Sequence, residues 1–348
     1  MGCGGEGRPV ASVVVAVRGS VPALAGLVAA VADQDFPLED VELIVVDNHP
    51  VQTVPTTLFA GVQFAHVVVH EPHAGLSRAR NAGIRQARGD YIVITDADTR
   101  PERSWLRMLV EALEATGAYC VGGRVVPWFT AGERPMLESA VEELFAPALW
   151  PDRVIRLGSP FWVVGCNLAA RRDPLPRFDE RLGAVGRRHR SCEDLEFVAR
   201  AERNGLDVVV APNAVADRAI HPADLRWSAI VGRAFWHGVS MARLVSLHPG
   251  MEVYDSYRVR DAWQSAREGK PWTAATGLAR IAGWRAEQVR RILGVVFREH
   301  QERRSARGGG VGYRRVPGRA PAVGGCGSHT GAESAPARDG QSDDVTAV

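Results

Sequence analysis

Four uninterrupted apolar runs, each followed closely by polar residues, constrain this chain more than any other feature. Residues 10–17, Val41–Val46, Phe64–Val69 and Tyr91–Thr95 are rich in valine and isoleucine and do not alternate strictly with polar residues. A strand that is apolar on both sides needs cover on both sides, which is the condition of a parallel sheet wrapped by helices. The intervening stretches supply the helices. Residues 21–32, Leu76–Ala87 and Trp105–Thr116 have helical spacing, the last begun near Pro101. The chain thus reads as repeated βαβ units. In open sheets of this kind ligands bind beyond the carboxyl ends of the strands. Arg18, Asp47-Asn48 and Asp96-Ala97-Asp98 all follow such strands, so three strand ends are expected to converge on one pocket.

From about residue 120 the texture changes to irregularly spaced Gly, Pro and Trp, as in Gly122-Gly123, Pro160-Phe161-Trp162 and Gly165-Cys166-Asn167. This half is expected to shape the other side of the pocket. A helix begins near Ser191 with Glu193-Asp194-Leu195-Glu196 in its first turn, where carboxylates suit the positive end of the helix dipole. Val208–Ala211 reads as another strand. Residues 272–304 read as a helix with Ile281, Trp284, Ile292, Leu293 and Val296 on one side and many arginines on the other. The organisation predicted is a flexible start over 1–9, an α/β domain over 10–240, a helical extension over 241–304 and a disordered tail over 305–348.

Composition narrows the function. A net charge of +2 gives no ground for nucleic acid as a partner, since that binding needs a marked excess of Lys and Arg. The five cysteines are scattered, odd in number and free of any CxxC pair, which suggests neither a disulfide framework nor a zinc site. A reducing cytoplasm is the expected compartment. No apolar run approaches the roughly 18 residues that span a bilayer, so contact with membrane is expected at most as a peripheral one at its inner face, through the basic stretch 280–307.

The sharpest chemical signal is Asp96-Ala97-Asp98. Two carboxylates separated by one residue present oxygens to a hard divalent cation that bridges a diphosphate. On its own the same pair also fits a solvated turn or a helix N-cap. Context decides between them, because several segments follow in a particular order. They are Val45-Val46-Asp47-Asn48, Gly75-Leu76-Ser77-Arg78-Ala79-Arg80-Asn81-Ala82-Gly83, Gly89-Asp90-Tyr91-Ile92-Val93-Ile94-Thr95-Asp96-Ala97-Asp98, Phe178-Asp179-Glu180-Arg181-Leu182-Gly183, Glu193-Asp194-Leu195-Glu196 and His221-Pro222.

This series resembles family 2 glycosyltransferases of the GT-A fold over roughly residues 10–240. The resemblance implies a mostly parallel α/β sheet flanked by helices and an inverting transfer from a nucleotide diphosphate sugar, UDP-sugar by default, to an acceptor hydroxyl. It implies that Asp47 or Asn48 meets the nucleotide base, Asp96 the ribose side, and Asp98 a Mn²⁺ or Mg²⁺ ion that holds the diphosphate. Arg80 lies in the segment beside the donor, where a guanidinium offers paired donors to phosphate. Asp194 matches the catalytic base, with Glu193 sharing the role by orienting the acceptor, and His221 matches a further metal ligand. The step needs such a base, since the hydroxyl must lose its proton as it attacks the anomeric carbon.

Two other readings stay open at this level. A sugar nucleotidyltransferase uses the same sheet and acids but needs a Gly-rich basic loop after the first strand, for which Arg18-Gly19-Ser20 is a weak substitute. A non-catalytic nucleotide-sugar binder would have lost Asp98 or Asp194, and both are present.

Overall fold

A computed structural model describes residues 7–19, 21–132, 135–146, 150–157, 163–186, 188–250 and 259–308. Residues up to Val296 form one compact unit, and of the second, 297–348, only the helical stretch to Gly308 is described. The Pro160-Phe161-Trp162 motif, most of the N-terminal segment and most of the tail lie outside the described residues.

The chain opens with strand β1 (Ala11–Val17), helix α1 (Val21–Ala32), β2 (Val41–Asp47), β3 (Ala65–His70), α2 (Leu76–Gln86), β4 (Tyr91–Asp96), β5 (Thr99–Pro101) and α3 (Trp105–Thr116). It continues through β6 (Cys120–Phe129), α4 (Ser139–Glu142), β7 (Ile155–Arg156), β8 (Asn167–Arg171), α5 (Glu193–Arg203) and β9 (Val208–Ile220). Helices α6 (Trp227–Leu247), α7 (Val259–Arg267) and α8 (Pro271–Gly308) end it.

One sheet runs β3-β2-β1-β4-β8-β6-β9-β5, with β7 paired to β9. The pairs from β3 to β4 are parallel, β8 runs against both β4 and β6, and β6 and β9 are parallel again. Two apolar layers cover it. On one face Leu24, Leu27, Leu106 and Leu109 of α1 and α3 pack over Val13, Val15 and Val45. On the other, Ala79 and Ile84 of α2 and Phe197 of α5 pack over Val14, Ile44 and Ile94. At Gly83 a Cβ would stand 2.4 Å from Val14 Cγ1, so α2 lies closer to the sheet than any side chain at that position allows.

The apolar runs mark β1, β2 and β4 almost to the residue, but three expectations change. β3 is the edge strand and largely exposed rather than covered on both faces. Pro101 closes β5, and α3 begins only after Ser104. The apolar side expected for the last helix is split: Trp284 packs beside Leu182, Met241 and Leu244, whereas Ile292 and Leu293 are exposed. Among the described residues no helix is long and apolar enough to cross a membrane.

Candidate active site

The carboxyl ends of β1 and β4 open into a cavity of about 1190 Å³, closed opposite by the start of α5, the end of β9 and helix α6. Arg80, Asp96, Asp98, Glu193, Asp194 and His221 all line it. Six of the eight residues singled out from the sequence are therefore brought together, from segments more than a hundred residues apart.

Arg80 is the pivot. It is buried on α2, and its guanidinium donates to Glu193 Oε1 at 3.0 Å and to Asp96 Oδ1 at 2.8 Å. One cation thus ties the end of β4 to the first turn of α5. Although burial acts to raise Asp96, Arg80 and then Arg218 hold its carboxyl below the usual range. Burial, and next the adjacent Asp194, push Glu193 up to about 7 in spite of Arg80. Its second oxygen is buried with no hydrogen-bond partner, which suits a carboxyl that keeps a proton near neutral pH. Gly165 makes room for this arrangement, since a Cβ there would lie 2.9 Å from Arg80 Nη1.

Asp194 sits beside this pair at the entrance to α5. Its Oδ1 accepts from the Leu195 N–H at 2.8 Å and its Oδ2 from the Gly165 N–H at 3.0 Å. Two backbone donors fix the carboxylate's position and leave lone pairs on each oxygen toward the cavity it lines.

Asp98 ends the acidic turn, which is bound to β9 through a hydrogen bond from the Ala219 N–H to the Asp98 carbonyl at 3.0 Å. Burial raises the Asp98 carboxyl and Asp96 raises it further, against the pull of Arg218. It forms no ion pair within 4 Å with any described residue. Arg218 likewise makes no hydrogen bond or ion pair among the described residues, although Asp98, Asp96 and Asp224 all raise its affinity for a proton. Arg233, on α6, is brought down to about 10 by burial and then by Arg218; Asp224 lies 3.9 Å from it. The carboxylates of Asp98 and Asp224 and the guanidinium groups of Arg218 and Arg233 thus face one space, in which Asp98 and Arg218 have no ion pair among the described residues.

His221 follows β9. Its Nδ1 lies 3.2 Å from Thr130 Oγ1 and its N–H donates to Asp224 Oδ2 at 3.0 Å, so Nε2 is the nitrogen left for a ligand. Among the described residues no three His, Cys, Asp or Glu side chains converge to hold a metal by themselves.

Asp47 and Asn48 stand elsewhere. Asp47 is buried at the end of β2, where its carboxylate accepts from the backbone N–H groups of Val54 (3.0 Å), His49 (3.2 Å) and Thr53. Asn48 donates to the Glu71 and His73 carbonyls, each at 2.8 Å, and accepts from the Gly75 N–H at 2.9 Å. Both are used in building loops, and neither lines the cavity. Arg18 adds to the same network by donating to the Asn48 carbonyl at 2.9 Å.

Sequence reasoning missed Arg218, Arg233 and Asp224. For Arg218 a signal was present: it is a charge within the apolar stretch Val208–Ile220, a place where an uncompensated cation is costly unless it serves something.

Residues 12–174 match the model of the family described as Glycosyl transferase family 2. The succinoglycan biosynthesis protein ExoM of Rhizobium meliloti is 26% identical over 258 residues, spanning 71% of this chain and 77% of that protein. Glycosyltransferase AglE of Haloferax volcanii is 28% identical over 120 residues, 34% of this chain and 40% of that protein's length. Among solved structures, the mannosyltransferase PcManGT from Pyrobaculum calidifontis, in complex with GDP-Man and Mn²⁺, is similar at a TM-score of 0.49 and 18% identity. The match covers 86% of this chain and 83% of that one. Residues 12–174 are thus similar to family 2 glycosyltransferases, and in this chain they contribute strands β1 to β6 and β8 of the mixed α/β sheet.

Proposed function

We propose that the cavity binds a nucleotide diphosphate sugar, UDP-sugar by default, and transfers the sugar with inversion to an acceptor hydroxyl. The observation that carries this reading is one cavity lined by Asp98, Asp194, Arg218 and Arg233, with Arg218 making no ion pair among the described residues. A diphosphate would accept charge-assisted hydrogen bonds from Arg218, whose guanidinium makes none among the described residues.

The donor set also fits Mn²⁺ or Mg²⁺. Asp98 is a half-buried carboxylate with no ion pair among the described residues, and a hard divalent ion favours oxygen ligands from one or two carboxylates together with substrate phosphate. Asp98 would hold the ion, with His221 Nε2 as a further ligand suited better to Mn²⁺. When bound, the ion neutralises charge on the departing diphosphate. That no protein-only metal cage exists among the described residues accords with a site completed by the donor.

Asp194, oriented by two N–H donors, takes the proton of the attacking hydroxyl. Glu193 and Arg80 position it: Arg80 locks the start of α5 against Asp96, and Asp96 remains free to meet the ribose through its second oxygen. Asp47 and Asn48 serve donor binding through the loops they hold at the mouth of β2.

Calorimetric titration of UDP, dTDP and GDP with and without Mn²⁺ tests the donor half. Binding of one nucleotide that needs Mn²⁺ and is lost in Asp98→Ala is expected. Equal binding with and without metal, or an unaffected Asp98→Ala protein, rejects the metal assignment. Binding of none rejects the donor site.

A further inference from the structure

Over residues 271–295, helix α8 is held by one face and bare on the other. At Gly238 of α6 a Cβ would lie 1.9 Å from the Arg280 carbonyl oxygen, and at Gly283 of α8 it would lie 2.0 Å from the Phe235 carbonyl oxygen. The two helices therefore cross backbone to backbone, which fixes the rotation of α8 about its axis. Thr276, Gly283 and Glu287 are buried on that side.

The opposite side is apolar. Leu278, Val289, Ile292 and Leu293 are 48%, 55%, 63% and 62% exposed. At about 100° per residue these four fall within an arc of about 100°, turned away from the arc of Thr276, Gly283 and Glu287. Scattered exposed leucines are ordinary, but four large apolar side chains exposed along one arc of a helix are not. Arg285, within the same arc, and Arg291, about 100° from its edge, are exposed too. The helical segment Pro271–Gly308 carries eight arginines against three glutamates and no lysine or aspartate. Only Glu287 among the acids has a described side chain, and it is already bound to Arg290 at 2.6 and 2.7 Å.

We propose that the bare face of α8 seats on an anionic lipid surface, its apolar stripe entering the headgroup boundary and its arginines meeting lipid phosphates. The charge decides the occupant. A second copy of the chain would set this basic helix against another of equal sign, whereas an anionic bilayer complements it and accepts the apolar stripe. A cavity whose lining includes Arg280, on the same helix, would then lie near that surface. The inference stands on the helix alone and not on the transfer reaction.

The test is sedimentation of the full chain with vesicles of phosphatidylcholine, with and without phosphatidylglycerol. Binding to the anionic vesicles is expected, at least about tenfold stronger than to neutral ones and weakened by raising salt from 0.1 to about 0.5 M. The pair Ile292→Glu and Leu293→Glu should reduce it about tenfold or more. Arg285→Gln with Arg291→Gln should remove most of the preference for anionic lipid while leaving the fold, read by circular dichroism, unchanged. No binding to either vesicle overturns the proposal. So does undiminished binding by the Ile292→Glu, Leu293→Glu protein. A concentration-dependent dimer, seen by light scattering and abolished by those substitutions, also overturns it and assigns the face to a second copy.

Discussion

Replacing Arg80 by Met should unfold this protein at a markedly lower temperature. The substitution keeps the aliphatic stem but removes the one cation between Asp96 and Glu193, whose contacts with it are 2.8 and 3.0 Å. Arg80 and Glu193 are nearly inaccessible and Asp96 only modestly exposed, so solvent screens the loss poorly. Removing one partner of a buried ion pair costs about 3–5 kcal/mol, mostly from the charges left behind. At about 2 °C per kcal/mol for a domain of this size, the midpoint should fall by about 6–10 °C. Thermal unfolding followed by circular dichroism at pH 7 measures it. Asp96→Asn introduced into Arg80→Met should recover part of the loss by removing the carboxylate left stranded, giving a coupling of about 1–3 kcal/mol. A midpoint within about 2 °C of the native protein, or strict additivity of the two substitutions, would refute the view that Arg80 ties β4 to α5.

Other consequences follow from the same geometry. Because Glu193 is raised to about 7 from an ordinary 4.5, the folded chain holds more protons than the unfolded one between those values. Its contribution to stability is therefore full below pH 4.5 and is lost as pH rises through 7; Glu193→Gln should flatten that part of a melting-temperature profile. Gly165→Ala should destabilise by about 1–3 kcal/mol, since the new methyl meets an Arg80 guanidinium that cannot retreat without giving up a carboxylate; denaturant titration reads this. Asp47→Ala should cost about 2–4 kcal/mol by stranding the N–H groups of Val54, His49 and Thr53, and make the 48–54 loop more susceptible to limited proteolysis. An unchanged digestion rate would contradict that role.

The parts legible in the sequence were those encoded locally. Val13-Val14-Val15 and Ile92-Val93-Ile94 announce strands because their neighbours in the chain suffice to show that both faces need cover. That Asp98, Glu193 and Asp194 line one cavity was legible because they stand at a strand end and a helix start, which in such sheets open on the same side. What was not legible depends on who lies across the space. Asp47 and Asn48 look like ligands in a linear reading, yet the N–H groups that fill their oxygens belong to the loops that follow. Arg218 acquires meaning only when β5 and β9 pair and bring it beside the acidic turn. On α8, periodicity shows an apolar side but not which side the Gly238–Gly283 crossing buries.

The measurement that bears most directly on the whole account is release of nucleoside diphosphate from UDP-, dTDP- and GDP-sugars with Mn²⁺ or Mg²⁺, comparing the native chain with Asp98→Ala and Asp194→Asn. Slow hydrolysis of one donor, dependent on metal, is predicted for the native protein. Asp98→Ala should lower it by at least about 10²–10³-fold, as expected for removing electrostatic support from the leaving group. Asp194→Asn should lower acceptor-dependent turnover by about 10²–10⁴-fold while leaving donor binding intact. Release that is indifferent to metal and undiminished in both variants would contradict the assignment of the reaction to this cavity.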